Sequence, residues 1–289
     1  LKEKPLPRPP FTPGPHQTEA LPASRTALNT QDRATVVMAC GTGKTLVSLW
    51  ATQDAQPKAV LVLVPSLTLL QQTLGEWSKH HTFTPGFRYL CVCSDQTVGL
   101  ANDELEVRPS DVEFRIDTNP EEVTRFLSQP TDDVKIIFST YHSSPVVGAG
   151  AAGYTFDVGI FDEAHKTTGR EGGAFGYALS DERLSIKKRL FFTATPRHYD
   201  IRQCDREGEF RVQSMNDPQV YGTRAHTLSF ASAAKQGIIC PYKVVISLID
   251  KDMVSDFARK YGITLIETDL MRARWVAHLL AFQQAVEST

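Results

Sequence analysis

Continuous apolar runs alternate along the chain with segments of helical periodicity. The apolar runs predict strands at residues 33–39, 59–64, 88–93, 134–139, 157–161 and 189–193. The helical patterns fall at residues 16–29, 44–54, 66–79, 120–128 and 176–184. Strands that are apolar over their whole length are typical of a parallel sheet covered by helices on both faces. The pattern therefore predicts an α/β fold in which ligands bind beyond the carboxyl ends of the strands.

The pattern changes after Pro196. The segment 197–222 is polar and loop-like, as is an apparent insertion at 94–118. Later segments predict helices at 228–237, 251–260 and 271–287 and a strong strand at 242–249. We place a boundary near Cys240-Pro241. The predicted segments are a proline-rich lead-in with a first helix at 1–32, a main domain at 33–240, and the start of an incomplete second domain at 241–289.

Composition excludes several classes of protein. The formal net charge is −2, so any contact with nucleic acid has to be local rather than spread over a polycationic surface. No apolar run approaches the length of a membrane span, and the first residues lack the apolar core of a signal peptide. The five irregularly spaced cysteines predict reduced thiols and a cytoplasmic location. The first residue is Leu1 rather than Met, so we expect a piece of a longer protein.

A glycine-rich segment with the strand–loop–helix context of a phosphate-binding loop follows the first predicted strand: Ala39-Cys40-Gly41-Thr42-Gly43-Lys44-Thr45. Gly41 and Gly43 let the backbone wrap closely, so that successive N–H groups and the helix N-terminus can face an anion. Lys44 is placed for nucleotide phosphates and the Thr45 hydroxyl for Mg²⁺. The general pattern G-x-x-x-x-G-K-[ST] has a glycine where this chain has Met38. The alternative is an ordinary glycine-rich turn with a surface lysine.

An acidic tetrad, Asp162-Glu163-Ala164-His165, closes the apolar strand at 157–161. Two adjacent carboxylates at the end of a core strand are costly to bury unless they have a partner. A magnesium ion and a water molecule to be activated would supply that partner. The alternative is a solvated strand end without chemistry.

These two segments and four others occur in the order and spacing that resemble the motifs of superfamily 2 helicases. Gly41–Thr45 is similar to motif I, and the acidic tetrad to motif II in its DEAH form. The remaining matches are Val64–Gln72 for motif Ia, Ser139–Ser143 for motif Ib or Ic, Thr193-Ala194-Thr195-Pro196 for motif III and His16-Gln17 for the Q-motif. Residues 162–169 are similar to bacterial helicases of restriction and phage-defence systems, which are related to subunits of type I and type III restriction enzymes.

The resemblance implies a RecA-like domain of the P-loop NTPase class that binds ATP and Mg²⁺. Lys44, Asp162 and Glu163 would be catalytic, with Glu163 as the general base that orients the attacking water. Thr45 and Asp162 would hold the metal. The residues implied in nucleotide binding are Gln17, Gly41, Thr42, Gly43, Lys44 and Thr45. For Gln17, which would read the adenine edge, a surface glutamine at a helix start is the alternative.

Other motif residues would couple the nucleotide site to nucleic acid. The resemblance implies hydrogen bonds from His165 to Thr193 and Thr195; the alternatives are a packed histidine and simple strand-end hydroxyls. Ser66 and Thr140 would contact phosphates of a nucleic-acid strand, and the alternative is that they only cap helices. The basic run Lys187-Lys188-Arg189 is more typical of a solvated surface than of a binding site.

The function implied by the resemblance is an ATP-driven DNA translocase or helicase, the motor of a restriction or defence enzyme. The alternatives are an RNA helicase and a nucleotide-gated assembly module that unwinds nothing. Motors of this superfamily need a second RecA-like domain whose motif VI supplies an arginine finger. No Q-x-x-G-R-x-x-R segment occurs in this chain. We therefore expect the first motor domain plus a C-terminal stub of the second, with weak activity in isolation and no membrane partner.

Overall fold

The chain folds into two compact units, with the boundary after Ile239. In the computed structural model the first unit spans Leu1–Ile239 and the second Cys240–Thr289. The structure describes residues 11–93, 116–170, 174–198, 212–242, 251–263 and 270–287.

A parallel sheet of eight described strands forms the centre of the first unit, in the order β10-β1-β8-β6-β2-β5-β3-β4. The strands are β1 Arg33–Met38, β2 Ala59–Val64, β3 Phe87–Val92, β4 Ile116–Asp117, β5 Val134–Thr140, β6 Phe156–Phe161, β8 Ile186–Thr193 and β10 Thr223–Leu228. A separate antiparallel pair joins β7 Gly169–Arg170 to β9 Val212–Gln213. The predicted parallel α/β fold is confirmed, since every pairing in the large sheet is parallel.

Helices cover both faces of the sheet and bury two hydrophobic clusters. The helices are α1 Pro15–Thr30, α2 Lys44–Asp54, α3 Leu67–His80, α4 Pro120–Ser128, α5 Ser144–Gly150, α6 Pro218–Tyr221 and α7 Phe230–Lys235. Along β2, Val60 and Val62 join the cluster under α1, α2 and α3. The alternate residues Leu61 and Leu63 join the cluster under α4 and α5. This alternation is why β2 is apolar over its whole length.

Several local predictions are wrong in detail. The helix predicted at 228–237 is confirmed as the shorter helix α7, but strand β10, which precedes it and ends at Leu228, was not predicted. Strand β10 has the polar sequence TRAHTL because it lies at the edge of the sheet, so it lacked the apolar signal of the inner strands. The helical segment predicted at 176–184 is a 3₁₀ helix that begins and ends earlier, Ala174–Leu179. The predicted loop at 197–222 contains β9 and α6.

The second unit contains two described helices, α8 Lys251–Lys260 and α9 Leu270–Glu287. The strand predicted at 242–249 lies, apart from Tyr242, outside the described residues, as does most of the predicted insertion at 94–118. Among the helices that the structure describes, none has the length and apolar character required to cross a membrane.

Candidate active site

Three neighbouring strands bring the distant motif residues to one edge of the sheet. β1 is hydrogen-bonded to β8, and β8 to β6, with Val37 opposite Thr193 and Phe161 opposite Phe191. All three strands run in the same direction, so the segments that follow them leave from the same edge. The glycine-rich loop follows β1, and the acidic tetrad follows β6. This arrangement explains how residues far apart in sequence form one site.

The glycine-rich loop depends on glycine at two positions. Gly41 and Gly43 have φ angles of 80° and 79°, in the left-handed region that favours glycine. A Cβ on Gly43 would also lie 2.3 Å from Nε2 of Gln17, far inside van der Waals contact. The loop therefore packs directly against the start of α1.

The start of α2 offers unpaired backbone donors. Helix α2 begins at Lys44, directly after the left-handed Gly43. Among the described residues, none accepts a hydrogen bond from the backbone N–H groups of Gly41, Gly43, Lys44 or Thr45. Such N–H groups, with the positive end of the helix dipole, suit a phosphate. The loop residues present thus fit a nucleotide.

Lys44 and Glu163 form an ion pair across the site. Nζ of Lys44 lies 3.5 Å from Oε1 of Glu163, and Nδ1 of His165 lies 3.2 Å from Oε2 of Glu163. Burial raises the pKa of Glu163, but the hydrogen bond with His165 and the charge of Lys44 outweigh it, so the pKa lies below its ordinary value. The Glu163 carboxylate is therefore ionised at neutral pH and available as a hydrogen-bond acceptor.

Asp162 sits in a different environment from its neighbour. Burial, followed by the negative charge of Glu163, raises the pKa of Asp162 to about 6. No group of three or more His, Cys, Asp or Glu side chains among the described residues is arranged to hold a metal. Mg²⁺ nevertheless needs few protein ligands when water and phosphates complete its coordination shell. The Asp162 carboxylate and the Thr45 hydroxyl are ligands of that kind. The donor chemistry fits Mg²⁺ in that form.

His165 links the acidic tetrad to the end of β8. Its Nδ1 lies 3.0 Å from Oγ1 of Thr193, which in turn accepts a hydrogen bond of 3.2 Å from the backbone N–H of Thr195. Thr193 is fully buried, whereas Thr195 is exposed. The structure thus brings together the three residues predicted to couple the site, and it does so in a continuous chain of contacts starting at Glu163.

Gln17 contacts the glycine-rich loop rather than presenting a free amide. Its Oε1 accepts a hydrogen bond of 2.8 Å from the backbone N–H of Gly14, and its Nε2 donates one of 3.2 Å to the carbonyl of Thr42. Nε2 of His16 lies 3.0 Å from the same carbonyl. A contact between Gln17 and an adenine edge would therefore have to replace bonds that the side chain already makes.

The two predicted nucleic-acid residues occupy different positions. Ser66 is the partly exposed N-cap of α3, and its hydroxyl accepts a 3.3 Å hydrogen bond from the backbone N–H of Leu69. Thr140 is fully buried and donates to the hydroxyl of Ser143 at 3.0 Å. The Thr140 hydroxyl thus lies in the interior, and the structure does not place it where it could touch a phosphate directly.

Tyr141 also contacts the acidic tetrad, although no sequence pattern indicates it. Its side chain is fully buried, and its hydroxyl donates a 2.7 Å hydrogen bond to the backbone carbonyl of Asp162. A tyrosine next to a strand end carries no signal of its own in the sequence, because the contact depends on β5 and β6 lying on either side of β2.

The chain is similar to subunits of restriction enzymes and to a probable viral helicase. The family model described as "Type III restriction enzyme, res subunit" matches residues 10–198. The probable helicase A859L of African swine fever virus (isolate Tick/South Africa/Pretoriuskop Pr4/1996) is 33% identical over 187 residues, which are 63% of this chain and 19% of that protein. The type I restriction enzyme EcoAI endonuclease subunit of Escherichia coli is 24% identical over 231 residues, 78% of this chain and 23% of that protein. The chain matches only about a fifth of the length of these relatives.

Solved structures of similar fold include two type ISP restriction-modification enzymes. LlaBIII bound to DNA aligns with a TM-score of 0.66 at 28% identity, covering 81% of this chain and 16% of that one. A nuclease-deletion mutant of LlaGI in complex with a DNA substrate mimic aligns with a TM-score of 0.61 at 27% identity, covering 86% and 22%.

Proposed function

The chain belongs to the type III restriction enzyme res-subunit family, as a RecA-like domain of superfamily 2 helicases, and we propose that it is the first ATP-binding domain of a DNA translocase or helicase of the DEAH type. The observation that carries this proposal is the chain of contacts from Lys44 through Glu163 and His165 to Thr193. It joins a phosphate-binding loop, a candidate general base and a second strand end in one site.

Each residue of this site has a distinct part in ATP hydrolysis. The backbone N–H groups of residues 41–45 and the Lys44 ammonium bind the phosphates and neutralise charge that develops on the γ-phosphoryl group. Glu163, ionised and held by two cationic or polar neighbours, orients the attacking water and accepts its proton. Thr45 and Asp162 would hold Mg²⁺, which would supply positive charge to neutralise the phosphates.

The contacts of His165 connect hydrolysis to movement. A change at Glu163 alters the hydrogen bond that His165 shares with it, and His165 passes this change to Thr193 and the exposed Thr195. Thr195 lies just after β8 and is exposed, so a second motor domain or a nucleic acid in contact with it would respond to the change. In this proposal the coupling residues therefore lie between the site of ATP hydrolysis and the part of the motor that moves.

DNA is the proposed nucleic acid. The supporting observation is that the two similar type ISP enzymes were solved with DNA or a DNA substrate mimic. The start of α3, with Ser66 as its cap, is the candidate place for sequence-independent phosphate contacts. The test compares ATP hydrolysis by the complete polypeptide with duplex DNA and with duplex RNA. Stimulation by DNA supports the proposal, and stimulation by RNA alone favours an RNA helicase.

A second test separates a motor from an assembly switch. A translocase displaces a bound third strand from duplex DNA in an ATP-dependent manner. ATP hydrolysis without displacement of either a third strand or a complementary strand would favour a nucleotide-gated assembly module.

The activity of residues 1–289 alone follows from the same proposal. Residues 241–289 are proposed as the start of a second RecA-like domain, which would supply an arginine finger to the γ-phosphate. Without that arginine we expect this segment to bind nucleotide weakly and to hydrolyse it slowly. The proposed location of the protein is the cytoplasm. Hydrolysis by the isolated segment at the rate of the complete polypeptide would contradict the two-domain part of the proposal.

A further inference from the structure

The peptide group between Asp162 and Glu163 is held at both ends. Its carbonyl oxygen accepts a 2.7 Å hydrogen bond from the hydroxyl of Tyr141, and its N–H donates a 3.0 Å hydrogen bond to Oδ1 of Asp162. Tyr141 is fully buried, so water does not compete with this bond. The plane of the peptide is therefore set by one side chain from outside the acidic tetrad.

This peptide determines where the Glu163 carboxylate points. Glu163 has φ 47° and ψ 46°, a left-handed conformation that is uncommon for a residue with a side chain. Such a conformation persists only when surrounding contacts impose it. Rotation of the preceding peptide would relieve the strain and move the carboxylate away from Lys44 and His165. The Tyr141 hydroxyl opposes that rotation.

Tyr141 belongs to the segment that resembles a nucleic-acid motif. It begins a 3₁₀ helix, Tyr141–Ser143, directly after β5. Its carbonyl accepts a 2.7 Å hydrogen bond from the Ser144 hydroxyl, which ties the tyrosine to this segment. A displacement of the segment therefore moves the tyrosine ring with it.

An aromatic path connects Tyr141 to the surface. The Tyr141 ring lies 5.5 Å from the ring of Phe175, which packs edge-on against the partly exposed His142 at 4.4 Å. Packed rings transmit displacement because interiors leave little free volume. The path thus runs from a partly exposed side chain to the carbonyl of Asp162.

We infer that Tyr141 is a positioning residue for the candidate general base Glu163, and that it transmits nucleic-acid contact at the partly exposed His142 to the ATP site. The inference rests on the proposed function, since it assigns Tyr141 a part in that hydrolysis. The hydroxyl is the group that holds the Asp162–Glu163 peptide. A phenylalanine at position 141 would remove this hydroxyl and keep the ring.

The test is Tyr141→Phe in the complete polypeptide, compared with Tyr221→Phe. Tyr221 is a matched control: it is also fully buried, and its hydroxyl lies 2.9 Å from Oγ1 of Thr167 rather than at the Asp162–Glu163 peptide. Tyr141→Phe should lower the DNA-stimulated kcat about tenfold or more, as expected for a misplaced reacting group, while KM for ATP stays within about twofold. Both variants should lose similar thermal stability, and Tyr221→Phe should keep the wild-type kcat.

Three outcomes overturn the inference. Wild-type kcat and DNA stimulation in Tyr141→Phe would show that the hydroxyl has no positioning part. An equal loss of kcat in both tyrosine variants would show that the effect is general destabilisation. If the wild-type polypeptide does not hydrolyse ATP with any nucleic acid, the proposed function fails first and this inference fails with it.

Discussion

The Lys44 ammonium lies 3.5 Å from the Glu163 carboxylate, and both side chains are largely buried. Lys44 begins the helix after β1, and Glu163 follows β6; the two strands are separated in the sheet only by β8. The positive charge of Lys44 helps to keep the Glu163 carboxylate ionised, because it offsets part of the desolvation of that carboxylate. Lys44 is proposed to bind phosphate and Glu163 to activate water. Mutation of each residue should therefore affect a different step, nucleotide binding or hydrolysis.

Glu163→Gln should separate nucleotide binding from turnover. The amide keeps the size of the side chain but cannot accept a proton, so kcat should fall by about 10² to 10⁴, the range for loss of a general base. Nucleotide affinity should be unchanged or higher, because a negative charge near the phosphates is removed. Steady-state hydrolysis and binding of a fluorescent ATP analogue measure the two quantities. Glu182→Gln, on an exposed turn, is the control. A Glu163→Gln variant with wild-type turnover would remove Glu163 from the mechanism.

Gly43→Ala should disable the phosphate loop. The new Cβ would lie 2.3 Å from Nε2 of Gln17, at a φ of 79° that disfavours any side chain. We expect nucleotide affinity to fall at least tenfold. Gly75→Ala is the control, since a Cβ on this helical glycine meets nothing within 4 Å. That change should stabilise the protein by about 0.5–1 kcal/mol through helix propensity. Normal nucleotide affinity in Gly43→Ala would contradict the proposed role of the loop.

Thr193→Val should uncouple hydrolysis from movement. Valine keeps the buried shape but loses the hydroxyl that contacts His165 at 3.0 Å and the N–H of Thr195 at 3.2 Å. DNA translocated per ATP consumed should fall by about fivefold or more, a typical size for loss of coupling between sites. Third-strand displacement measured beside ATP hydrolysis gives this ratio. Thr35→Val removes a buried hydroxyl from the adjacent strand β1 and should leave the ratio unchanged. Equal ratios in wild type and Thr193→Val would exclude the coupling role.

Asp157 should contribute pH-dependent stability. Burial raises its pKa, but hydrogen bonds from Lys187 and from the backbone N–H groups of Ala59 and Lys58 outweigh burial, so the pKa lies below the ordinary 3.8. A lowered folded-state pKa stabilises the protein above about pH 4, and this contribution is lost as the pH falls through the folded-state pKa. Asp157→Asn should therefore lower the unfolding midpoint at pH 7 and flatten its decline below pH 4. Asp32→Asn, at an exposed ion pair, should change the midpoint less. Identical pH profiles for wild type and Asp157→Asn would contradict this account.

The sequence predicts the sheet and the meeting of its motifs for a physical reason. Inner parallel strands are apolar on both faces, so β2 and β6 are recognisable without a structure. Parallel strands also end at a common edge, so the segments after β1 and β6 were expected to meet. The contact between Lys44 and Glu163 follows from these two rules and the order of the strands.

Other features depend on contacts that the local pattern does not contain. Arg189 was expected in a solvated basic run, but it is 1% exposed and donates hydrogen bonds to the carbonyls of Leu184 and Ile186. Its position on β8 directs it inward, where the Asp181 carboxylate pairs with its charge and the two carbonyls accept its hydrogen bonds. Thr140 is buried for a similar reason, since Ser143 folds back to accept its hydroxyl hydrogen. Satisfaction of a buried polar group by a distant or irregular segment has no periodic signature in the sequence.

ATP hydrolysis by the complete polypeptide, with and without duplex DNA, tests the central claim most directly when wild type is compared with Lys44→Ala. The account predicts DNA-stimulated hydrolysis in the wild type and a loss of about 10² or more in kcat on removal of the Lys44 ammonium. Lys79→Ala, at an exposed ion pair with Glu76, should keep the wild-type rate. Hydrolysis by Lys44→Ala at the wild-type rate, or a wild type that hydrolyses no ATP in the presence of DNA, would contradict the account.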